Sequence, residues 1–486
     1  MKDMLMKKHA ALLALSASLA AAVQPLEAIG NFFVNPKDQT RFQIVGVDYQ
    51  PGGSAGFDGH SDPLSDAATC LRDAAIMQVL GVNTVRIYNI NPDLNHDECV
   101  SIFNAAGMYL VIDVNTPIVA QHLTSYKVWE SYYSQYSNHT FAMVEAFKDY
   151  PNTLAFFSGN EIIDTIETAA SVPPYIRAVT RDLKTYISKH CDRQIPVGYS
   201  AADVRDVLMD TFNYLQCSDP EDSGDMSRSD IFALNSYSWC GAATFTSSGY
   251  DGVVRNFTGA SVPVFFSEYG CNTPAPRIFT EVPAIYGSEF TSVMSGGMVY
   301  QYTQEENNFG LVMLHDNGTA ELLDDFYTLR DQYAKLDFKS VESVKASTGS
   351  PPTPPKCDPK LIVAKGFNAN FTLPVMPPGT EDIIKNGVSP APKGKLVSLS
   401  DLNVKQQVIG NDGKAITGLA VKALPSDQSN SPGSNTVSGG SSTTSPSGTP
   451  TGSSPSSSPT KDAAPRTSGS FAAVFGLLAS MAYFAL

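Results

Sequence analysis

The chain is poor in positive charge. It sets 33 Lys and Arg against 48 Asp and Glu, for a formal net charge of −15 and a pI near 4.9. A nucleic-acid partner requires a basic face, so this balance argues against one. Cysteine is sparse as well, with seven in 486 residues, and no set of cysteines and histidines has the spacing of a metal site. No glycine-rich phosphate loop follows an apolar run. No metal and no cofactor is therefore expected. The carboxyl-terminal apolar run, Phe471 to Leu486, is sixteen residues long, short of the roughly 20 that a membrane-spanning helix needs.

The two ends read as processing signals. Lys2, Lys7 and Lys8 precede an apolar stretch from Ala10 to Leu19 and the small residues Ala20 to Ala22, so residues 1–22 read as a secretory signal peptide. At the other end, small residues around Ser456 to Ala464, a polar spacer and the short apolar tail form the pattern of a glycosylphosphatidylinositol (GPI) anchor signal, placed at 463–486 and removed on anchoring. Between them, 426–462 is nearly all Ser, Thr, Pro, Gly and Asn. It cannot bury enough apolar surface to offset chain ordering and is expected to be a disordered stalk. Sequons at Asn138, Asn256, Asn317 and Asn370 fit the same secretory route. An odd number of cysteines in an exported chain predicts disulfides and one thiol left over.

From about 35 to 340, short apolar runs alternate with helical stretches. The runs are 42–50, 82–88, 108–114, 154–161, 195–200, 230–237, 262–268 and 296–302, with amphipathic helix candidates at 64–80, 138–150 and 173–190. Near-continuous apolar strands are those covered on both faces, as in a parallel sheet. Eight of them at crossover spacing predict a (β/α)8 TIM barrel over residues 23–340, with a doubly wound open sheet as the alternative. Polar residues gather at strand C-termini: Asp48 and Gln50, Arg86 and Tyr88, Asp113, Asn160 and Glu161, Tyr237, Glu268, Tyr300 and Tyr302. That is the end where barrel enzymes work. Residues 341–425 read as a small β-rich appendage.

"TLAFFSGNEI" (153–162) and "VPVFFSEYGCN" (262–272) are both apolar strands that finish on a glutamate. Two carboxyl groups at the mouth of one barrel are suited to cleaving a glycosidic bond. One protonates the departing oxygen. In a retaining enzyme the other attacks the anomeric carbon, from about 5–5.5 Å away. Asn160 is placed to hydrogen-bond a sugar 2-hydroxyl, and the tyrosines offer flat faces to pyranose rings.

These two motifs, with "VDYQPGG" (47–53), "NTVRIYNI" (83–90), "NSYSWCG" (235–241) and "GGMVYQYTQEENNFGLV" (296–312), resemble the fungal β-1,3-glucanosyltransferases of glycoside hydrolase family 72. The resemblance covers roughly 30–340. It implies a retaining, membrane- or wall-anchored enzyme that cuts a β-1,3-glucan internally and joins the new reducing end to another glucan chain. It implies Glu161 as acid/base and Glu268 as nucleophile, with Gln50, Tyr88, Asp113, Asn160, Tyr237 and Tyr300 at substrate-binding positions. It also implies the pairs Cys70–Cys99, Cys217–Cys357 and Cys240–Cys271, leaving Cys191 free. The partners expected are donor and acceptor β-1,3-glucan chains and the plasma membrane through the lipid, with the protein itself a monomer. Some members carry a Cys-rich glucan-binding module after the barrel; this chain has no cysteine beyond Cys357 and lacks it. Preference for a sugar hydroxyl over water rests on the resemblance. A secreted endo-β-1,3-glucan hydrolase and a non-enzymatic glucan-binding wall protein are the alternatives.

Overall fold

A computed structural model describes residues 22–222, 224–346 and 351–435. The signal peptide up to residue 21, most of the stalk and the anchor signal lie outside the described residues. Eight strands close into a barrel in which every neighbouring pair runs parallel. They are β1 (Ile44–Asp48), β2 (Thr84–Ile87), β3 (Tyr109–Asp113), β4 (Thr153–Asn160), β5 (Val197–Ala202), β6 (Ile231–Ser236), β7 (Val264–Tyr269) and β8 (Gly296–Val299). The barrel, not the open sheet, is the fold.

Almost every strand residue is buried, because each strand faces the lumen on one side and helices on the other. Two separate apolar clusters mark the two sides. Val47, Val85, Ile87, Ile112 and Phe266 pack outward into the helical layer. Ile44, Val111, Phe157, Ala233, Phe265 and Met298 pack inward. Gly46 is required in the lumen, since a Cβ there would lie 2.2 Å from Met298 Cγ. A three-stranded antiparallel sheet (27–29, 32–34, 41–42) closes one end of the barrel, and its Phe33 and Phe42 join the inner cluster. That end, where the strands begin, is the foot. Toward the other end the lumen turns polar, with Asp48, Arg86, Asp113, Ser200, Asn235 and Ser267 all buried.

The expected helices form at Ala67–Leu80, Ser134–Phe147 and Pro173–His190. The first begins three residues late because the Asp66 carboxylate accepts the Ala68 and Thr69 N–H groups and caps it there. It ends at Gly81, whose φ of 98° closes the last turn. Disulfides join Cys70 to Cys99, Cys217 to Cys357 and Cys240 to Cys271; Cys191 is free.

The C-terminal segment contributes one strand, Val408–Ile409, to a small sheet with Val312–Leu314 and Ala320–Leu322. Most of the rest is extended chain strapped round the barrel. It meets the outer helices in reverse order. Val363 and Ala364 N–H groups donate to Asp210, Tyr214 donates to Asn370 O, and Val388 N–H donates to Tyr186. Lys395 and Val397 N–H groups then donate to Asp97 and Ser101, and Lys422 N–H to Gln78. The strap continues past 425, so the first ten residues of the expected stalk are docked instead. Asn430 is fully buried and donates to Gln78 O and Val82 O, at 3.1 and 2.8 Å. One side chain that satisfies two carbonyls suffices to anchor chain of stalk-like composition. Among the described residues, no helix is long and apolar enough to cross a membrane.

Candidate active site

Both glutamates sit where a strand loses its regular register. β4 slips against β5 between Phe157 and Gly159, and β7 slips against β6 between Phe266 and Glu268. Such bulges re-aim the residues that follow them. After the first, Glu161 takes a left-handed backbone (φ 50°), held by its N–H donating to Ser200 O at 2.9 Å. A non-glycine residue in that region stores roughly 1–3 kcal/mol of strain and persists only where its surroundings enforce it. The result is an exposed Glu161 carboxylate whose Oε1 accepts from Asn235 Nδ2 at 3.0 Å.

Glu268 is set differently. It is 8% exposed, and three donors converge on it. Arg86 Nη1 and the Tyr88 hydroxyl reach Oε1 at 3.1 and 2.8 Å, and the Tyr237 hydroxyl reaches Oε2 at 2.7 Å. Burial pushes the Glu268 carboxyl up to about 7, with the Glu161 charge adding, while Arg86, Tyr237 and Tyr88 pull it back.

Beneath Glu268 lies a buried charge cluster. Asp113 holds the Arg86 guanidinium with both oxygens, at 3.1 and 2.9 Å. The guanidinium also lies over the Tyr88 ring, 4.3 Å from its centroid. Asp48 is fully buried, and neither of its oxygens has a hydrogen-bond partner. Burial lifts it well above the ordinary carboxyl range, and Glu268 and Asp113 add to the lift against Arg86. One guanidinium thus faces three carboxyl groups, and Asp48 is the one it does not hydrogen-bond.

The remaining predicted residues fall around this centre. Asn160 is half-buried beside Glu161, its Oδ1 turned inward to accept from Ser200 and Asn235. Gln50 accepts from Asn89 N–H at 3.0 Å and lines a cavity of about 140 Å³ with Pro51, Gly53, Phe57 and Asp58. Tyr300 crosses Tyr237 edge-on, centroids 6.2 Å apart. Asp113 stands one layer back, behind Arg86. Sequence reasoning missed Phe309, 5.5 and 5.4 Å from the Tyr237 and Tyr300 rings, and Asn235, although both stand in motifs that were read for their tyrosines. It also missed Arg277. Its guanidinium is buried and donates to Tyr300 O, Phe309 O and Asp325, fixing the loop that carries both rings. Among the described residues, no group of three or more His, Cys, Asp or Glu is arranged to hold a metal ion.

The arrangement has two carboxyl groups in unlike settings, ringed by aromatic faces and open to solvent on the Glu161 side. It is equipped for acid-assisted displacement at a sugar carbon. Comparison with known proteins agrees. The sequence profile of the family described as Glucanosyltransferase matches residues 15–337. The chain is 52% identical over 419 residues to the 1,3-beta-glucanosyltransferase gel2 of Aspergillus fumigatus, covering 86% of this chain and 87% of that protein. It is 46% identical over 408 residues to the probable 1,3-beta-glucanosyltransferase GAS3 of Saccharomyces cerevisiae, covering 80% and 77%. Among solved structures it is similar to a mutant of Saccharomyces cerevisiae Gas2p in complex with laminaritetraose and laminaripentaose. That similarity has a TM-score of 0.63 and 34% identity, covering 73% of this chain and 75% of the other.

Proposed function

The chain belongs to the glucanosyltransferases of glycoside hydrolase family 72, and from that premise we propose how its residues divide the work. The protein is a β-1,3-glucanosyltransferase. It cuts a β-1,3-glucan chain internally and transfers the new reducing end to the non-reducing end of another β-1,3-glucan, elongating wall glucan.

Glu268 is the nucleophile and Glu161 the acid/base. The observation that carries this division is the contrast between them: three donors fix Glu268 in place, whereas Glu161 stands exposed at the cleft. Burial is the main lift on Glu268 and the Glu161 charge adds to it, so attack by ionised Glu268 is favoured when Glu161 is in its neutral, proton-donating form. Glu161 passes its proton to the departing glycosidic oxygen and later takes one from the acceptor hydroxyl. Asn160, with its oxygen turned inward, has its amide N–H groups left for the sugar 2-hydroxyl. Gln50, Tyr88, Tyr237 and Tyr300 line the donor and acceptor path, with Asp113 acting through Arg86. Transfer wins over hydrolysis when a bound acceptor hydroxyl has an effective concentration that water cannot match.

The protein acts outside the cell, at the wall. We assign its membrane partner to a GPI lipid added near 463, with glycans at Asn138, Asn256, Asn317 and Asn370, all of which are exposed. We take it to act as a monomer. To test the transfer, the purified protein is incubated with a single reduced β-1,3-gluco-oligosaccharide and the products are sized. Products longer than the starting sugar, each matched by a short fragment, are expected. Only shorter products would make the protein a hydrolase.

A further inference from the structure

A single side chain joins the surroundings of the two glutamates. Asn235, on β6 and 2% exposed, uses both faces of its amide. Nδ2 donates to Glu161 Oε1 at 3.0 Å and to Asn160 Oδ1 at 3.1 Å. Oδ1 accepts the Ser267 hydroxyl at 2.7 Å, with the Ser200 oxygen 3.1 Å away. Both N–H groups and the amide oxygen are thereby engaged. Turning the amide over would set its oxygen against a carboxylate and a second amide oxygen, so only one orientation is tolerated. The frame beneath it is equally tied. The Ser200 hydroxyl also lies 2.7 Å from Asn160 Oδ1 and 2.9 Å from the Ser267 hydroxyl. Ser200 O takes the Glu161 N–H, and Ser267 immediately precedes Glu268.

A carboxylic acid has two oxygens and one proton. Glu161 Oε1 faces an amide N–H, and a proton placed on that oxygen would meet another hydrogen. We propose that Asn235 is a positioning residue that reserves Oε2 of Glu161 as the proton-carrying oxygen and holds it toward the glycosidic oxygen. This rests on Glu161 being the acid/base. In the first half-reaction the Oε2–H bond breaks and its proton goes to the glycosidic oxygen, which leaves with the electron pair of its bond to the anomeric carbon. A Glu268 oxygen forms the new bond to that carbon. In the second half the acceptor hydroxyl returns a proton to Oε2, its oxygen bonds the anomeric carbon, and the Glu268 carboxylate departs. Asn235 keeps its bond to Oε1 throughout and exchanges no proton.

The test exploits leaving groups. Fluoride departs from an anomeric carbon with little help from a proton, whereas a sugar hydroxyl needs one. The kcat/KM of Asn235→Ala is compared with wild type on a reduced laminari-oligosaccharide and, by fluoride release, on β-laminaripentaosyl fluoride. A loss of about 30–100-fold is expected on the oligosaccharide, the scale of a catalytic group displaced by about 1 Å, with the fluoride donor slowed less than about 3-fold. Glu161→Gln should show the same split, larger. Tyr237→Phe, which touches Glu268 instead, should slow both donors alike. Asn235→Ser is the second variant. It keeps a hydroxyl for Ser267 but cannot reach Glu161, and is expected to behave as the alanine does; thermal unfolding checks that both fold. Equal loss on the two donors in the Asn235 variants, with the split intact in Glu161→Gln, would overturn the proposal alone. No split in Glu161→Gln would overturn the acid/base assignment beneath it.

Discussion

At the scale of single residues, the site is governed by how many donors reach each carboxyl group. Each hydrogen bond to ionised Glu268 favours its charged form and lowers its pKa. Removing one therefore raises it, and attack then requires a higher pH. Tyr237→Phe and Tyr88→Phe should each lower kcat by roughly 10–100-fold, the worth of a hydrogen bond to a charged group. Each should also move the acidic limb of the kcat/KM profile upward, as a pH–rate series on wild type and variants would record. Glu268 also has a signature in stability. Burial raises it from 4.5 to about 7, so the folded protein favours its protonated form, while the unfolded chain releases the proton above about 4.5. The contribution is complete below 4.5 and is lost as pH rises through 7. Glu268→Gln has no such proton to lose. Its stability relative to wild type should improve across that window by up to about 3 kcal/mol, measurable by chemical unfolding at pH 4.5, 6 and 7.5. A flat difference across those three points would contradict the shift.

At the scale of elements, the cleft wall depends on a buried cation away from the two glutamates. Arg277 holds Tyr300 O and Phe309 O from behind while paired with Asp325. Arg277→Gln should leave that loop free to part from Tyr237, raising KM about 10-fold or more while kcat falls less, since removing one partner of such a pair also leaves Asp325 uncompensated. Initial rates across oligosaccharide concentrations would show whether KM or kcat moves. The barrel strands were legible because strands covered on both faces leave an unbroken apolar signature, and the polar residues at their ends marked the pole where the lumen turns polar. That signature does not say whether a sheet closes, which depends on β8 pairing with β1. The two bulges were illegible for a different reason. A one-residue slip leaves composition unchanged, yet it decides that Glu161 turns into a left-handed backbone and Glu268 turns inward. Asn235 and Phe309 both stand inside legible motifs, but a buried asparagine looks the same in sequence whether it plugs a core or holds a glutamate at the cleft.

At the scale of the whole molecule, the strap is what sequence reading could not see. Its contacts are single backbone N–H groups donated to scattered side chains such as Asp210, Tyr186, Asp97 and Ser101, which impose no period on the residues that supply them. The Ser- and Pro-rich composition around Asn430 argued for disorder, and a pair of buried hydrogen bonds overrode it. Asn430→Ala would leave Gln78 O and Val82 O without that donor and should cost about 1–3 kcal/mol, read as a lowered thermal midpoint. A protein ending at 425 should melt below one ending at 435 by a comparable margin, with no change in kcat. Equal melting of the two would mean that the last ten residues add nothing.

The strap also fixes a direction. Asn430 N–H donates to Gly107 O, and Asn435 reaches Gln78. These positions lie at or beside the turns that lead into β2 and β3, at the foot. Residue 435, where the described chain ends, therefore stands at the pole opposite the two glutamates. A glucan chain can fill the whole mouth of the barrel without meeting the last turns of the strap.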